Sequence, residues 1–200
     1  MFWQPALGLG ADPIVREDLD AHSWIDYSAR WLPDADELFS ELVDLLPWRQ
    51  REVVMWERFL PEPRLTWWWQ EGGTPPPPRL DEIRRVLSER YMPLHSIGCN
   101  LYRHGADSVA WHGDRIGKTD VNPLVAIVSL GERRRFLLRP KGGGPSRRFD
   151  LGHGDLLVMG GACQHEWEHS VPKCRSAGPR LSVTFRHRAV AASDERINFV

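Results

Sequence analysis

Three residues in the second half of the chain could bind one metal ion together. His112 and Asp114 stand two positions apart at the end of the β-rich run VAWHG, and side chains at positions i and i+2 of a strand point to the same face. A third ligand must come from another strand, and His169 in EWEHSVP is the natural candidate. Two imidazoles and one carboxylate leave three coordination positions open, a donor set typical of non-haem Fe(II) oxygenases. The pattern therefore predicts a catalytic iron site.

The triplet His-Gly-Asp is short, and other interpretations stay open on these residues alone. A surface turn with a solvated histidine and aspartate would contain the same residues. His104, His153 and His165 also compete for the place of the third ligand. Because carboxylate and imidazole donors are too hard for copper or a structural zinc site, iron is the metal that fits this set.

Four polar residues on two further predicted strands could bind a dicarboxylate. Arg180 and Arg186 are six positions apart in RLSVTFR, so they share a face and lie about 20 Å apart at full extension. One could bind the distant carboxylate of 2-oxoglutarate in the bidentate geometry that lysine lacks, and the other the end near the metal. Asn100 and Tyr102 in CNLYR share a face and could add neutral hydrogen bonds. We expect Arg186 to anchor the distant carboxylate.

The order of these motifs resembles that of a known family. The segments CNLYR, DSVAWHGD, LVAIVSLG, HGDLLVMGG, WEHSVPK and PRLSVTFR lie between about residues 64 and 188 and resemble the AlkB family of nucleic-acid dealkylating dioxygenases. The resemblance implies a double-stranded β-helix core that holds Fe(II) on the three metal ligands and 2-oxoglutarate on the four polar residues named above. In the family's commoner form, RxNxxxR, an asparagine stands where this chain has Ser182.

The same resemblance implies a place for a nucleic-acid base. PRLTWWWQEG is similar to the family's PRLTAWYG stretch, which forms a lid over the flipped base, and an extruded base is held between flat side chains. Trp69 stands at the place of the family's tyrosine and is the first candidate to stack on the base, with Trp68 the second. If this segment is a strand, alternation places two of its three tryptophans, which include Trp67, in the core.

Basic residues outside the lid also bear on the substrate. Arg148 falls where the resemblance suggests an arginine that contacts the substrate. Four arginines form a basic run that either follows phosphates or is a solvated face; they are Arg133, Arg134, Arg135 and Arg139. Ile116 stands two places after the metal aspartate, where relatives often carry an acidic residue, and it cannot accept a hydrogen bond from an exocyclic amine. The lesion preference is therefore not predicted.

The elements that position these residues follow from the apolar pattern. Helices are predicted over residues 34–46 and about 80–90, residues 1–33 are predicted to be mostly irregular, and 51–59 could be a strand. After residue 93, eight short β-rich runs predict an antiparallel jelly roll. We therefore expect one α+β domain over residues 1–200. Its N-terminal helices and nucleotide-recognition lid would occupy 1–94, and its jelly-roll catalytic core 95–190.

Composition excludes several classes of protein. No apolar run approaches the roughly 20 residues that span a bilayer, and the first residues lack the basic region of a signal peptide. The three cysteines form no CxxC pair, which argues against a disulfide framework and favours the cytoplasm. Residues 1–100 carry 10 basic and 17 acidic side chains and residues 101–200 carry 16 and 10, so a basic half either faces a polyanion or balances an acidic one.

These features predict an Fe(II)- and 2-oxoglutarate-dependent demethylase of alkylated DNA or RNA. We expect it to oxidise N-alkyl groups on bases such as 1-methyladenine and 3-methylcytosine, to prefer single strands and to be a monomer without membrane contact. Two alternatives differ in kind. The same iron site could act on a protein or a small molecule, or the chain could be a non-catalytic nucleic-acid-binding module. A binding module would have no need for the metal ligands and the paired arginines.

Overall fold

The computed structural model describes residues 12–55, 58–114 and 122–187. These ranges contain three helices, α1 (Ala35–Leu45), α2 (Pro78–Arg90) and α3 (Cys163–Glu166). The strands of the same ranges are, in chain order, β1 (Val15–Asp18), β2 (Ser23–Ser28), β3 (Glu52–Met55), β4 (Arg58–Pro61), β5 (Leu65–Gln70), β6 (Ser96–Tyr102), β7 (Val109–His112), β8 (Val125–Gly131), β9 (Arg134–Pro140), β10 (Arg147–Leu151), β11 (Asp155–Gly161), β12 (Trp167–Val171) and β13 (Arg180–Arg186).

The strands form two antiparallel sheets and a small ribbon. The major sheet has the order β1-β2-β11-β8-β13-β6-β5, the minor sheet has the order β10-β9-β12-β7, and β3 pairs with β4 alone. Side chains from both sheets share one apolar core, which includes Tyr102 and Ile127 of the major sheet and Phe136 and Leu138 of the minor sheet. Two antiparallel sheets packed over a shared core, with helices outside, are the predicted α+β jelly roll.

Alternation along β13 separates a structural core from the space between the sheets. Leu181, Val183 and Phe185 are fully buried in a second core that the helices cover, and each such side chain contributes about 1.5–3 kcal/mol. The intervening residues, among them Arg180 and Arg186, face the minor sheet because successive side chains of a strand point to opposite faces. The polar residues of the predicted site therefore share one side of the sheet.

Within residues 1–33, which were predicted to be mostly irregular, the described residues 12–33 form two strands, β1 and β2. Strand β2 pairs with β11 over six residues, and its Ile25 is fully buried between the sheets. The apolar alternation of this strand was hidden by Asp26. That carboxylate is buried because Arg16 and the hydroxyl of Tyr91 both donate hydrogen bonds to it. A charged residue with two partners can occupy a position that its type alone would assign to the surface.

The two predicted helices are confirmed. The predicted boundary at residue 94 does not separate two layers of the fold, because β5 lies before it and belongs to the major sheet. Helix α2 begins at Pro78, two residues earlier than predicted, because proline suits the first helical turn. The lid segment is strand β5, which pairs with β6 from Leu65–Leu101 to Gln70–Ser96. The predicted lid segment is therefore the edge of the major sheet.

The possible strand over 51–59 corresponds to β3 and β4, with residues 56–57 outside the described ranges. None of the helices in the described ranges is both long and apolar enough to span a membrane.

Candidate metal and co-substrate site

The structure brings the three predicted metal ligands together. Strand β7 ends at His112, Asp114 follows two residues later, and His169 lies directly opposite His112 on the neighbouring strand β12. Their ligand atoms all lie within 4.8 Å of one another, and His169 Nε2 is 3.8 Å from Asp114 Oδ2. The competing His104, His153 and His165 are not part of this cluster. The position of the third ligand depends on the pairing of β12 with β7.

The protonation of this cluster suits a divalent metal ion. His112 Nδ1 lies 2.9 Å from the Ala110 carbonyl; because a carbonyl only accepts, Nδ1 is the donor in this contact, and Nε2 is the ring nitrogen left for a metal ion. Burial, with the nearby charges of His112 and Arg186, lowers the pKa of His169 to about 3. Burial alone would raise the pKa of Asp114, but Arg186 and the two histidines hold it well below its usual range. A neutral His169 and an ionised Asp114 result, and together with the His112 imidazole they form a donor set that fits Fe(II).

Arg186 lies at the metal end of the site. Its Nη2 and Nε donate to Asp114 Oδ1 at 2.7 and 3.1 Å, and its Nη1 donates to Thr184 Oγ1 at 3.0 Å. Asp114 therefore keeps Oδ2 on the side of His169. Our expectation that Arg186 anchors the distant carboxylate does not agree with this position, because its guanidinium is already bonded to a metal ligand.

Arg180 is a buried cation whose hydrogen bonds are incomplete. Its side chain is 1% exposed, its Nε donates to Ser129 Oγ at 3.1 Å, and its guanidinium lies 5.4 Å from the Tyr102 ring. Its Nη1 is buried and has no hydrogen-bond partner among the described residues. Burial lowers the pKa of Arg180 to about 10, so the side chain is still charged at neutral pH. A buried, charged donor without a partner is costly, which fits the binding of a carboxylate at this place.

A second buried arginine nearby differs from Arg180 in its bonding. Arg134 lies 5.7 Å from the Tyr102 ring and donates to the backbone carbonyls of His104, Asp107 and Pro172. Its donors are used inside the protein, so it connects loops at the end of the sheets. Of the two guanidiniums beside Tyr102, Arg180 is the one with a free donor.

Comparison with known proteins agrees with this geometry. Residues 70–199 match the family model described as the 2OG-Fe(II) oxygenase superfamily, about two thirds of the chain. The chain belongs to the 2OG-Fe(II) oxygenase superfamily. This membership confirms Fe(II) and 2-oxoglutarate as the cofactor and co-substrate. The donor set fits the metal, and Arg180 Nη1, which has no partner among the described residues, fits the co-substrate.

Similarity to curated proteins narrows the family within this superfamily. The chain is 34% identical over 177 residues to the alpha-ketoglutarate-dependent dioxygenase alkB homolog 3 of Bos taurus, across 78% of this chain and 62% of that protein. It is 35% identical over 132 residues to the DNA oxidative demethylase ALKBH2 of Arabidopsis thaliana, across 54% and 41%. The resemblance to the AlkB family is thereby confirmed. The chain spans about three fifths of the length of the alkB homolog 3 protein.

Solved structures confirm the fold. The protein named OsALKBH1 superposes with a TM-score of 0.59 at 14% identity, over 87% of this chain and all of that one. A prolyl-4-hydroxylase of Pseudomonas putida superposes with a TM-score of 0.55 at 19% identity, over 86% and 96%. At these identities the likeness concerns the jelly roll alone.

The assignment of Trp69 to the substrate side is contradicted by the strand register. Trp69 pairs with Ile97, which is buried beneath the helices, and the Arg84 guanidinium of α2 lies 5.6 Å from its ring. Trp68 pairs with Gly98 and faces the other way, with the Arg186 guanidinium 4.8 Å from its ring. Trp67 shares the helix side with Trp69. Trp68 is thus the lid tryptophan on the side of the metal ligands.

Gly98 explains how the Trp68 ring lies so close to the sheet. A Cβ placed on Gly98 would be 2.6 Å from Trp68 Cζ3 and 2.8 Å from Thr184 Oγ1, closer than van der Waals contact permits. The absence of a side chain at this position lets one edge of the indole approach β6 closely. The Trp68 residue is nevertheless 36% exposed.

Arg148 and the basic run do not converge on the site. Arg148 pairs with Leu137, whereas His169 pairs with the next residue, Leu138, so Arg148 lies on the outer face of the minor sheet. Its guanidinium is bonded to Asp150. Alternation also divides the basic run, because Arg134 is buried while its neighbours are exposed. Ile116 lies outside the described residues.

Two residues near the site were missed by sequence reasoning. Arg64 Nε donates to Asn100 Oδ1 at 3.0 Å, and the buried Gln164 accepts a long hydrogen bond, 3.4 Å, from the Asp114 backbone N–H. Arg64 belongs to the PRLTWWW segment, but its partner becomes visible only when β5 is placed beside β6. Asn100 and Tyr102 lie on the site face of β6, opposite Ser182 and Arg180, as their spacing predicts.

Proposed function

We propose that this oxygenase removes alkyl groups from the ring nitrogens of nucleic-acid bases by oxidation. The observation that carries the proposal is the position of Trp68. Its partly exposed ring lies 4.8 Å from the Arg186 guanidinium, which is bonded to the metal ligand Asp114. A flat base that stacks on Trp68 would therefore lie beside the metal-binding cluster.

The names of the relatives support the same substrate class. One is called a DNA oxidative demethylase, and another an alpha-ketoglutarate-dependent dioxygenase of the alkB homologs. The likeness to the prolyl-4-hydroxylase concerns the fold alone, so nothing favours a protein substrate over a base. We also propose that single-stranded DNA or RNA is preferred, because an unpaired base is extruded at lower cost. That the protein is a monomer is likewise a prediction.

The roles of the residues follow from their positions. His112, Asp114 and His169 would hold Fe(II), Arg180 with Tyr102 would bind the distant carboxylate of 2-oxoglutarate, and Asn100 would donate to its near end. When bound, Fe(II), 2-oxoglutarate and O2 together oxidise the N-alkyl carbon, and the hydroxylated alkyl group leaves as an aldehyde while succinate and CO2 are formed. These are proposals from geometry and chemistry.

The remaining residues orient the substrate and the metal ligands. Arg186 holds Asp114 Oδ1 and so fixes which carboxylate oxygen faces His169. Trp68 would hold the base parallel to its ring and exclude water from that side, and such positioning accounts for much of the acceleration that enzymes give. The cytoplasmic location stays a prediction from the sequence, in which the three cysteines form no CxxC pair.

The activity is tested on oligonucleotides that carry one 1-methyladenine or one 3-methylcytosine. We expect the iron-loaded protein to remove the methyl group and to form one succinate for each base repaired, with both products measured by mass spectrometry. An unmodified oligonucleotide is the control for uncoupled turnover. If a methylated peptide or free amino acid were oxidised and the oligonucleotides were unchanged, the substrate class would be wrong. If no substrate led to succinate, the activity as an oxygenase would be wrong as well.

The pairing of β5 with β6 predicts different roles for two adjacent tryptophans. Trp68→Ala should raise the KM for a methylated oligonucleotide about 5- to 150-fold, because stacking of a base on an aromatic ring contributes about 1–3 kcal/mol. Trp69→Ala is the matched control; it removes a ring from the helix side and should lower the melting temperature with little change in KM. Steady-state kinetics below both melting temperatures measure the difference. A larger rise in KM for Trp69→Ala than for Trp68→Ala would contradict the register argument.

A further inference from the structure

One guanidinium connects the lid strand with the co-substrate side of the major sheet. Arg64 precedes β5 and makes three contacts: Nε donates to Asn100 Oδ1 at 3.0 Å, Nη2 donates to Glu62 Oε1 at 3.2 Å, and Nη1 lies 3.4 Å from the Ser108 carbonyl. The side chain is 14% exposed. Arg64 is therefore held on three sides by groups from different parts of the chain.

The contact with Arg64 determines which end of the Asn100 amide faces the site. A guanidinium has only donors, so its partner must be the carbonyl oxygen of the amide and not the NH2 group. The opposite orientation would place two donors against each other. With Oδ1 engaged by Arg64, the Nδ2 donors are left for other partners on the site face of β6. A carboxylate or a keto oxygen, each an acceptor, could bind there.

Burial of Glu62 keeps Arg64 in this position. Glu62 is 2% exposed, and its Oε2 is buried with no hydrogen-bond partner among the described residues. A buried carboxylate without a cation is strongly unfavourable, so the Arg64 guanidinium has little freedom to leave. The neighbouring strand β13 offers no second amide at this place, because the residue that pairs with Asn100 is Ser182. Binding of the co-substrate there therefore depends on the Asn100 amide.

We propose that Arg64 is a positioning residue for 2-oxoglutarate, which fixes the Asn100 amide so that its NH2 group donates to the co-substrate. The proposal rests on the 2-oxoglutarate dependence stated above and goes beyond it by assigning a role to a residue of the lid. Arg64 acts through Asn100 and makes no contact with the reacting atoms. The strand that carries Trp68 and the co-substrate site are thereby connected through one side chain.

The test measures binding of 2-oxoglutarate to the Mn(II)-loaded protein by calorimetry without oxygen, so that turnover is absent. Arg64→Gln should raise the Kd about fivefold to tenfold, because a misoriented amide loses a charge-assisted hydrogen bond. Arg64→Lys keeps a charge beside Glu62 but cannot replace both contacts of the fork, and it should raise the Kd at least about threefold. The lysine variant decides the question if the glutamine variant does not fold. In the iron-loaded enzyme, kcat at saturating 2-oxoglutarate should change less than KM.

A double-mutant cycle separates positioning from a general loss of structure. In an Asn100→Ala background, Arg64→Gln should change the Kd by less than about twofold, because the group that it positions is absent. Arg16→Gln is the matched control. It also removes an arginine paired with a buried carboxylate, Asp26, but at β1, away from the site, and it should leave the Kd unchanged.

The outcomes distinguish this inference from the proposed function. If the wild-type protein binds 2-oxoglutarate and the Arg64 variants bind it equally well, the positioning role is wrong and the proposed function stands. An equal rise in Kd with and without Asn100 would also overturn it, because Arg64 would then act independently of the amide. If the wild-type protein with Mn(II) does not bind 2-oxoglutarate, both proposals fail.

Discussion

Asp114→Ala is expected to abolish succinate formation, with kcat/KM at least about 10³-fold below that of the wild-type protein. Asp114 is the carboxylate of the metal cluster in the part of the chain that the structure describes, and it is also the partner of Arg186. Its loss would leave two imidazoles and the uncompensated guanidinium of Arg186 around the place where a cation must bind. The charge balance of the site is then reversed, from one that attracts Fe(II) to one that repels it. Loss of either histidine removes a ligand but leaves the Asp114–Arg186 pair intact.

Metal content and product formation test this prediction together. The Asp114→Ala protein should retain no Fe(II) after gel filtration, and mass spectrometry should detect no succinate above the metal-free background. Asp114→Asn, which keeps the shape and removes the charge, should lose the metal as well. Asp150→Ala is a suitable control because Asp150 also pairs with an arginine, Arg148, on the outer face of the minor sheet; its activity should be that of the wild type. Succinate formation by Asp114→Ala above about one tenth of the wild-type rate would overturn the assignment of the ligand.

The sequence was sufficient to predict that His112, Asp114 and His169 form one cluster because local geometry relates two of them. His112 and Asp114 lie two positions apart, and no unknown pairing changes that relation. His169 required one further assumption, namely that β12 lies beside β7, and only the order of the motifs supported it. The fold class followed from the density of short β-rich runs, which a jelly roll requires and a helical protein lacks.

Two predictions that failed, those for Trp69 and Arg148, depended on the phase of a strand. Three consecutive tryptophans have no apolar–polar alternation, so the sequence does not state which of them faces the core; the pairing of Trp68 with Gly98 decides it. Arg148 is one residue away from the inner face, and a shift of one residue moves a side chain to the other side of a sheet. The expectation that Arg186 anchors the distant carboxylate failed for another reason: the sequence does not state which end of β13 lies beside the metal cluster, and the contact of Arg186 with Asp114 shows that it is the Arg186 end.

Arg180→Met is expected to raise the Kd for 2-oxoglutarate about 150- to 5,000-fold, because the loss of a buried partner of a charged group costs about 3–5 kcal/mol. The position of the charge supports so large an effect. Arg180 is 1% exposed and has a donor without a partner, so the carboxylate that binds there would be screened little by water. Arg180→Lys should recover only part of the affinity, since an ammonium lacks the planar fork that matches a carboxylate.

The melting temperature of Arg180→Met gives a second, independent test of the role of Arg180. In the protein without co-substrate, Arg180 is a buried cation without a carboxylate partner among the described residues, which is a cost to folding that methionine would not have. Arg180→Met should therefore leave the melting temperature unchanged or raise it, while 2-oxoglutarate no longer stabilises the protein. Arg134→Met is the matched comparison, since Arg134 is also buried beside Tyr102 but donates to three backbone carbonyls. That change should lower the melting temperature and retain the stabilisation by 2-oxoglutarate. If Arg180→Met were destabilised as much as Arg134→Met and still bound 2-oxoglutarate, Arg180 would be a structural residue and the carboxylate would bind elsewhere.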